Sequence, residues 1–304
     1  MKRTYGILYA ILSSAAFGFM PIFAKLAYNN GSNALTVLTL RFLLAAIMLY
    51  IYFSIKYIYF SIKKVNLKIS RNQLKIMFLI GVIGYTSTGI GLFFSYNYIS
   101  VGLATTMHFV YPAAVIIMNY MIYKEKFTKY KVFSLILSLI GVYILIGVKG
   151  QSIHPIGAAL AITSGFTYAA CIMGMNHPEI KKLDNTISVF YFSLFAGASL
   201  FIFTALSNKL RFDVNFYTIS SAIGISFLST IVSIVLFIKA LKIIGSSSTS
   251  ILGTFEPIVS IIMGIILFGE KITIPIIIGT ILILFSVVII AKGQEKPKEA
   301  DVPL

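Results

Sequence analysis

The most unusual chemical group in this sequence is a carboxylate in the middle of an apolar stretch. Glu256 stands next to Pro257 in "GTFEPIVSIIM" (253–263), and apolar residues continue on either side. If the stretch crosses a membrane, the carboxylate costs about 2.5–3.5 kcal/mol on insertion scales, and it can take up a proton or hold an ammonium group. Pro257 removes a helix hydrogen bond and allows a kink. The alternative is a structural role, in which the side chain of Glu256 is hydrogen-bonded to the backbone that Pro257 frees.

Two other ionisable groups, His108 and Arg41, also lie deep in apolar stretches. His108 shares a helical face with Tyr111, either in a packed core or on a cavity wall. Arg41 is too deep to reach water easily, so we predict a structural charge with a partner or a wet cavity inside the protein. The histidines and the single cysteine do not cluster as metal ligands do. We therefore predict no metal, no cofactor and no catalytic site.

The elements that carry these groups are apolar runs long enough to cross a membrane. Of the 304 residues, 58% are hydrophobic and 11% are charged, whereas a soluble domain has about 25% charged residues. Runs of about 20 apolar residues span the hydrocarbon core, and helices satisfy every backbone group there. We predict an all-α integral membrane protein with ten transmembrane helices. Their predicted positions are about 4–27, 33–55, 74–97, 102–123, 130–148, 155–176, 186–206, 216–239, 246–268 and 273–292.

The basic residues indicate orientation rather than nucleic-acid binding. The net charge is +16, but Lys and Arg collect in short loops between the apolar runs, so we predict no nucleic-acid partner. The loops on one side of the predicted spans carry 19 of these residues, and those on the other side carry 4. By the positive-inside rule, both termini are cytoplasmic and the protein lies in the cytoplasmic (plasma) membrane. The polar tail, 294–304, is predicted to be disordered.

The sequence matches itself when it is shifted by 145 residues, so that 112–144 align with 257–289 without a gap. The pairs at this offset include Pro112 with Pro257, Tyr111 with Glu256, His108 with Gly253, and Glu125 with Glu270. We predict two five-helix repeats, 1–150 and 151–293. An odd number of helices inserts the second copy upside down. Inverted repeats are typical of transporters that bind their substrate near the midplane, between the halves.

Three segments carry a resemblance to a known family: "LTLRFLLAAIMLY" (38–50), "YKEKFTKYKVFSLILSLIGVYILI" (123–146) and "ALKIIGSSSTSILGTFEPIVSIIMGIILFGEKIT" (240–273). The sequence resembles the drug/metabolite transporter superfamily, specifically the EamA-type ten-span carriers. The resemblance implies a basket-like fold with a central cavity, and transport of small metabolites, often export of amino acids. The family often has Trp at two positions that read Phe17 and Tyr168 here, and this chain has no Trp. Any stacking in the cavity then rests on Phe and Tyr.

Residues and resemblance together predict one central site. Its predicted lining is Phe17, Tyr85, Asn97, His108, Tyr111, Tyr168 and Glu256, with Pro112 and Pro257 as hinges. We predict a secondary transporter that exports an amino acid or related compound, with Glu256 as coupling residue. Proton coupling and facilitated diffusion are both compatible with the sequence, and so are a monomer and a homodimer. Its partners are then a small-molecule substrate and membrane lipid. The alternatives are uptake of an organic cation such as a quaternary amine, caged by tyrosines, and, more weakly, a membrane enzyme.

Overall fold

The computed structural model describes residues 2–59, 69–99, 101–126, 128–146, 154–209, 215–268 and 272–293, in which the chain forms helices and turns and no strand. The helices of the first half are α1 (Lys2–Gly18), α2 (Met20–Asn29), α3 (Ala34–Tyr59), α4 (Arg71–Phe78), α5 (Ser87–Ser95), α6 (Val101–His108), α7 (Tyr111–Tyr123) and α8 (Lys129–Ile146). Those of the second half are α9 (Pro155–Met175), α10 (Pro178–Lys181), α11 (Asn185–Leu206), α12 (Phe216–Ser226), α13 (Ser233–Leu252), α14 (Glu256–Phe268) and α15 (Ile274–Gly293). The predicted all-α membrane fold is confirmed.

Eight helical stretches of the described residues are long and apolar enough to cross a membrane, judged by length and composition. One of them, Phe216–Leu267, has 52 residues and contains Gly245, whose φ of 77° breaks the helix. This stretch therefore holds two of the predicted spans. A further predicted span lies on α8, which packs along α15. Each predicted span therefore has helix in its described residues, and the count of ten membrane crossings stays a prediction. The predicted turn at Glu270 and the tail 294–304 lie outside the described residues.

Several helix boundaries differ from the prediction, and two of them are at the first span and at Gly245. The first predicted span, 4–27, is two helices, because the chain breaks at Phe19 and α2 restarts with Pro21 in its first turn. Proline lacks a backbone N–H, and the N–H groups in the first turn of a helix are the ones that have no acceptor within the helix. The connection predicted between 239 and 246 is reduced to Gly245, since its positive φ lets the chain turn without a loop.

The helices of the two halves pack as matched pairs. α1 lies against α13 as α9 lies against α5, while α3 packs on α11 and α8 packs on α15. Each half also contains one wide π-helical segment, Leu79–Thr86 in the first and Phe227–Val232 in the second. Within these segments the hydroxyls of Thr86 and Thr230 each donate to the carbonyl five residues back. Such correspondence is expected of a duplicated unit, and its upside-down orientation stays a prediction.

The beginning of α1 and the end of α15 lie side by side. The Nη2 atom of Arg3 donates to the carbonyl oxygen of Ala291 at 2.6 Å. Both ends of the described chain therefore face one side of the bundle, which we call the terminal side. An even number of membrane crossings requires this arrangement. That the terminal side is cytoplasmic stays a prediction from the loop charges.

Candidate functional site

Four aromatic side chains meet at the centre of the bundle, and we call Tyr85, His108, Tyr111 and Tyr168 the ring cluster. Tyr168 lies in its middle, with its ring centroid 4.9 Å from that of Tyr111, 5.6 Å from His108 and 6.3 Å from Tyr85. These separations are typical of favourable tilted and edge-to-face ring contacts. The sequence predicts all four as lining of the central site, and the structure brings them together from both halves.

A break in the chain positions two of these rings. α6 ends at His108 and α7 begins at Tyr111, with Pro112 in its first turn. The Nδ1 atom of His108 lies 2.9 Å from the hydroxyl oxygen of Ser164 on α9. The backbone of the break lies so close to α9 that a Cβ atom on Gly165 would be 2.7 Å from the carbonyl oxygen of His108. Gly165 is therefore needed for α9 to approach the break.

Glu256 faces the ring cluster from the second half. It begins α14 after a 3₁₀ turn, and the hydroxyl of Tyr111 lies against Gly253, where a Cβ atom would collide with it. Glu256 is within electrostatic range of Arg41, Tyr111 and Tyr168. Among the described residues, no group donates a hydrogen bond to its carboxylate or forms an ion pair with it. Glu256 is half-buried as a residue, and its carboxylate has the hydrogen-bonding capacity to hold a ligand.

The structure does not contain the alternative bond from the Glu256 side chain to backbone freed by Pro257. Instead, the hydroxyl of Ser260 donates to the carbonyl of Glu256 at 3.2 Å and to that of Gly18 at 2.9 Å. Pro257 is the second residue of α14, where its missing N–H costs no helix bond. Pro112 takes the same place in α7. The action of both prolines as hinges stays a prediction.

Arg41 lies beside the ring cluster and has three hydrogen-bond partners. Its Nε donates to Oγ1 of Thr230 at 2.9 Å, Nη1 to the sulfur of Met20 at 2.8 Å, and Nη2 to the carbonyl of Ser229 at 3.2 Å. Ser229 and Thr230 belong to the π segment of the second half. One wide turn therefore supplies both oxygen acceptors of a guanidinium that comes from the first half.

Two other predicted lining residues are placed differently. Phe17 is buried, and its ring centroid lies 6.0 Å from the guanidinium carbon of Arg41. Asn97 is exposed in the turn that follows α5, so the structure does not bring it to the ring cluster. Sequence reasoning missed the three partners of Arg41, because hydroxyls and methionines are common in apolar helices and a π segment has no plain sequence signal.

A polar network closes the bundle on the terminal side of the ring cluster. We call its members the polar lock: Asn119, Glu125, Lys131, Asn176, Ser246 and Ser247. The Nδ2 atom of Asn119 donates to the hydroxyls of Ser246 and Ser247 at 2.7 and 2.8 Å, and its Oδ1 accepts from Ser246 at 3.0 Å. Ser247 also donates to Glu125 at 2.7 Å, and Lys131 pairs with that carboxylate. The lock thereby ties α7 and α8 of the first half to α13 of the second.

Burial differs between the polar lock and the ring cluster. The amide and the two serines at the centre of the lock are each 2% exposed. The hydroxyl of Ser248 beside them is buried and has no partner. At the ring cluster, Tyr85 and Tyr111 are also buried, whereas His108, Tyr168 and the nearby Glu256 are only half-buried. We infer that the conformation is closed towards the terminal side.

Comparisons with known proteins identify the family of the chain. The sequence profile of the EamA-like transporter family matches residues 4–147 and 155–292. An uncharacterised transporter of Archaeoglobus fulgidus is 25% identical over 210 residues, which are 67% of this chain and 67% of that protein. The uncharacterised inner membrane transporter YicL of Salmonella typhimurium is 25% identical over 168 residues, 55% of this chain and 56% of its own length.

A solved structure has the same fold. That protein, known from its crystal structure, superposes with a TM-score of 0.78, covering 94% of this chain and 96% of its own. The two sequences are 11% identical, so this likeness shows the fold alone. The two segments matched by the family profile contain both π segments, the ring cluster, Glu256 and the polar lock. The chain belongs to the EamA-like transporter family, within the drug/metabolite transporter superfamily that its motifs predict.

Proposed function

We propose that this membrane transporter is a secondary carrier that exports an amino acid or related small metabolite across the cytoplasmic membrane by alternating access. The observation that supports the proposal is the half-buried Glu256, which faces the ring cluster and whose carboxylate has no partner in the part of the chain that the structure describes. An ammonium group would pair with this carboxylate, and the faces of tyrosine rings attract a cation. A small solute with an ammonium group meets both interactions in one place.

Alternating access needs two halves that can exchange conformations about a shared site. The matched helix pairs and paired π segments provide such halves. We assign the coupling role to Glu256, which would bind a proton and the substrate in turn. Each charge moved through 100 mV is worth about 2.3 kcal/mol, so the membrane potential can hold a concentration ratio of about 50-fold.

Counterflow in proteoliposomes tests the proposal. Vesicles loaded with one unlabelled amino acid are diluted into its labelled form, for each amino acid in turn, and we expect uptake of label above protein-free vesicles for at least one. Glu256→Gln keeps the side-chain size but removes the charge. We expect it to slow counterflow by about tenfold or more, because a hydrogen bond to a charged group contributes about 1.5–3 kcal/mol.

The matched control is Glu179→Gln in the short helix α10, away from the ring cluster. It is expected to transport as the wild type does. If Glu256→Gln left both the rate and its dependence on pH unchanged, the binding and coupling roles would be lost. Absence of counterflow with every amino acid would remove the amino-acid assignment.

Uptake of a quaternary amine is the second candidate function. The observation that favours it is the set of three tyrosine rings close to one carboxylate, because aromatic cages bind such cations. Competition separates the two candidates. If choline and tetramethylammonium compete with a bound labelled solute and amino acids do not, a quaternary amine is favoured as the substrate. If amino acids compete and the two amines do not, uptake of a quaternary amine is excluded.

A further inference from the structure

Arg41 is a buried cation without an anionic partner. The residue is 7% exposed, and its three acceptors, a hydroxyl, a carbonyl and a thioether sulfur, are all uncharged. Within the described residues, no carboxylate lies at ion-pair distance from it. Burial of a charge is costly unless another charge neutralises it. The site is therefore expected to attract an anion.

The guanidinium also has unused donors. It carries five N–H groups in a planar fork that fits a carboxylate, and three of them are used by Thr230, Met20 and Ser229. One N–H on each terminal nitrogen is left. The ring centroid of Phe42 lies 4.9 Å from the guanidinium carbon, and this packing holds the plane of the fork. A carboxylate can then accept two hydrogen bonds from a group that is already oriented.

Glu256 supplies the complementary charge without being the partner. The two residues lie near each other, because the backbone of Gly18 packs against the carbonyl of Glu256 and Met20, two residues later, accepts from Arg41, but they form no ion pair in the described structure. Two opposite charges held apart beside one ring cluster match the two charges of a zwitterion.

We propose that Arg41 binds the carboxylate of the solute whose ammonium group pairs with Glu256. The substrate class is then α-amino acids and analogues that carry both charges. Thr230 and Ser229 are positioning residues, because they orient the guanidinium and do not touch the solute. The inference rests on the proposed function, since it names the second contact of the same solute.

A purely structural Arg41 would fasten α3 to the π segment and do nothing more. The two roles differ in one measurable property. A structural arginine affects all solutes alike, whereas an arginine that binds carboxylate affects only solutes that have one. The α-amide of an amino acid keeps the ammonium group and the side chain but lacks the negative charge. The ratio of acid affinity to amide affinity therefore isolates the role of Arg41.

The test measures binding to the purified wild-type protein of the twenty amino acids, their α-amides and the matching decarboxylated amines. We expect at least one acid to bind about 10–100-fold more tightly than its amide, as loss of a charge-assisted contact implies. In Arg41→Gln the ratio of acid affinity to amide affinity should fall to about one, with the amide affinity unchanged. In Arg41→Lys the ratio should lie between this value and that of the wild type, because lysine keeps the charge but lacks the planar fork of N–H donors. Thr204→Val is the control, because it removes a buried hydroxyl that bonds Thr39 of α3 and does not contact Arg41, and it should keep the wild-type ratio.

If Arg41→Gln fails to fold, Thr230→Val replaces it, and removal of the Nε acceptor should lower the ratio by about 2–10-fold. Amides or amines that bind the wild type as tightly as acids would overturn the role of Arg41 and leave a carrier for amines intact. An unchanged ratio in Arg41→Gln would overturn it as well. If no member of the three sets bound and counterflow also failed, the proposed function itself would be wrong.

Discussion

Replacement of Asn119 by leucine is expected to open the bundle on its terminal side. The substitution nearly conserves side-chain volume and removes the three hydrogen bonds that join Asn119 to Ser246 and Ser247. Each such bond contributes about 1 kcal/mol net, so the equilibrium should shift by about 3 kcal/mol towards the open conformation. Because about 1.4 kcal/mol is a factor of ten, the open population should rise about 100-fold.

Ser248 offers a reporter position for this opening. Its hydroxyl is buried beside the lock without a partner, so Ser248→Cys loses no hydrogen bond. In a Cys171→Ala background, which removes the one native thiol, a membrane-impermeant thiol reagent is added to inside-out vesicles. The labelling rate should follow the population that is open towards the reagent, and should therefore be about 100-fold higher with Asn119→Leu.

The control is Thr254→Val, which removes a buried hydroxyl that bonds only within its own chain segment, to the carbonyl of Ile251 at 2.7 Å. This variant should label at the wild-type rate. A rise of less than about threefold in folded Asn119→Leu protein would refute the reasoning, since it would mean that the lock contributes under 1 kcal/mol to closure.

Two further variants test the packing at the break and the edge of the lock. Gly165→Ala places a methyl group 2.7 Å from the carbonyl oxygen of His108. We expect the free energy of unfolding to fall by about 1–3 kcal/mol, measured as a lower Tm in detergent. An unchanged Tm would show that α9 can move away from the break. Glu125→Gln removes the ion pair with Lys131 and weakens the hydrogen bond from Ser247. The labelling rate of Ser248→Cys should rise by less than it does with Asn119→Leu. An equal or larger rise would mean that Glu125, and not Asn119, contributes most to closure of the lock.

Much of the architecture could be predicted because the membrane leaves the chain few choices. Apolar runs of span length have to be helices, and the predicted runs do coincide with helix. Glu256 and His108 could also be named, since deep ionisable groups are few, whereas Tyr168 is indicated by the aromatic position of the family and Tyr85 by its place on the third predicted span. The repeat pairs Tyr111 with Glu256, and these two residues lie within electrostatic range.

The rest depends on backbone geometry that has no plain sequence pattern. The π segments direct Tyr85 and Thr230 towards the centre, but residues 79–86 and 227–232 look like ordinary apolar helix. The serines at 246 and 247 are typical of small residues that let helices approach closely, and nothing in their spacing indicates Asn119 as partner. Asn97 is predicted at the site because it lies on the same predicted span as Tyr85, 74–97, but the helix ends at Ser95, before Asn97.

One uninterrupted piece of backbone, 227–256, connects these features. It starts with the oxygens that orient Arg41, turns at Gly245 next to the serines of the lock, and ends at Glu256. A solute that draws Arg41 and Glu256 towards itself would therefore pull on both ends of the piece whose middle holds the two halves together. Binding of the solute and opening of the terminal side would then be coupled through one segment of backbone. A transporter without bound solute would therefore seldom change conformation.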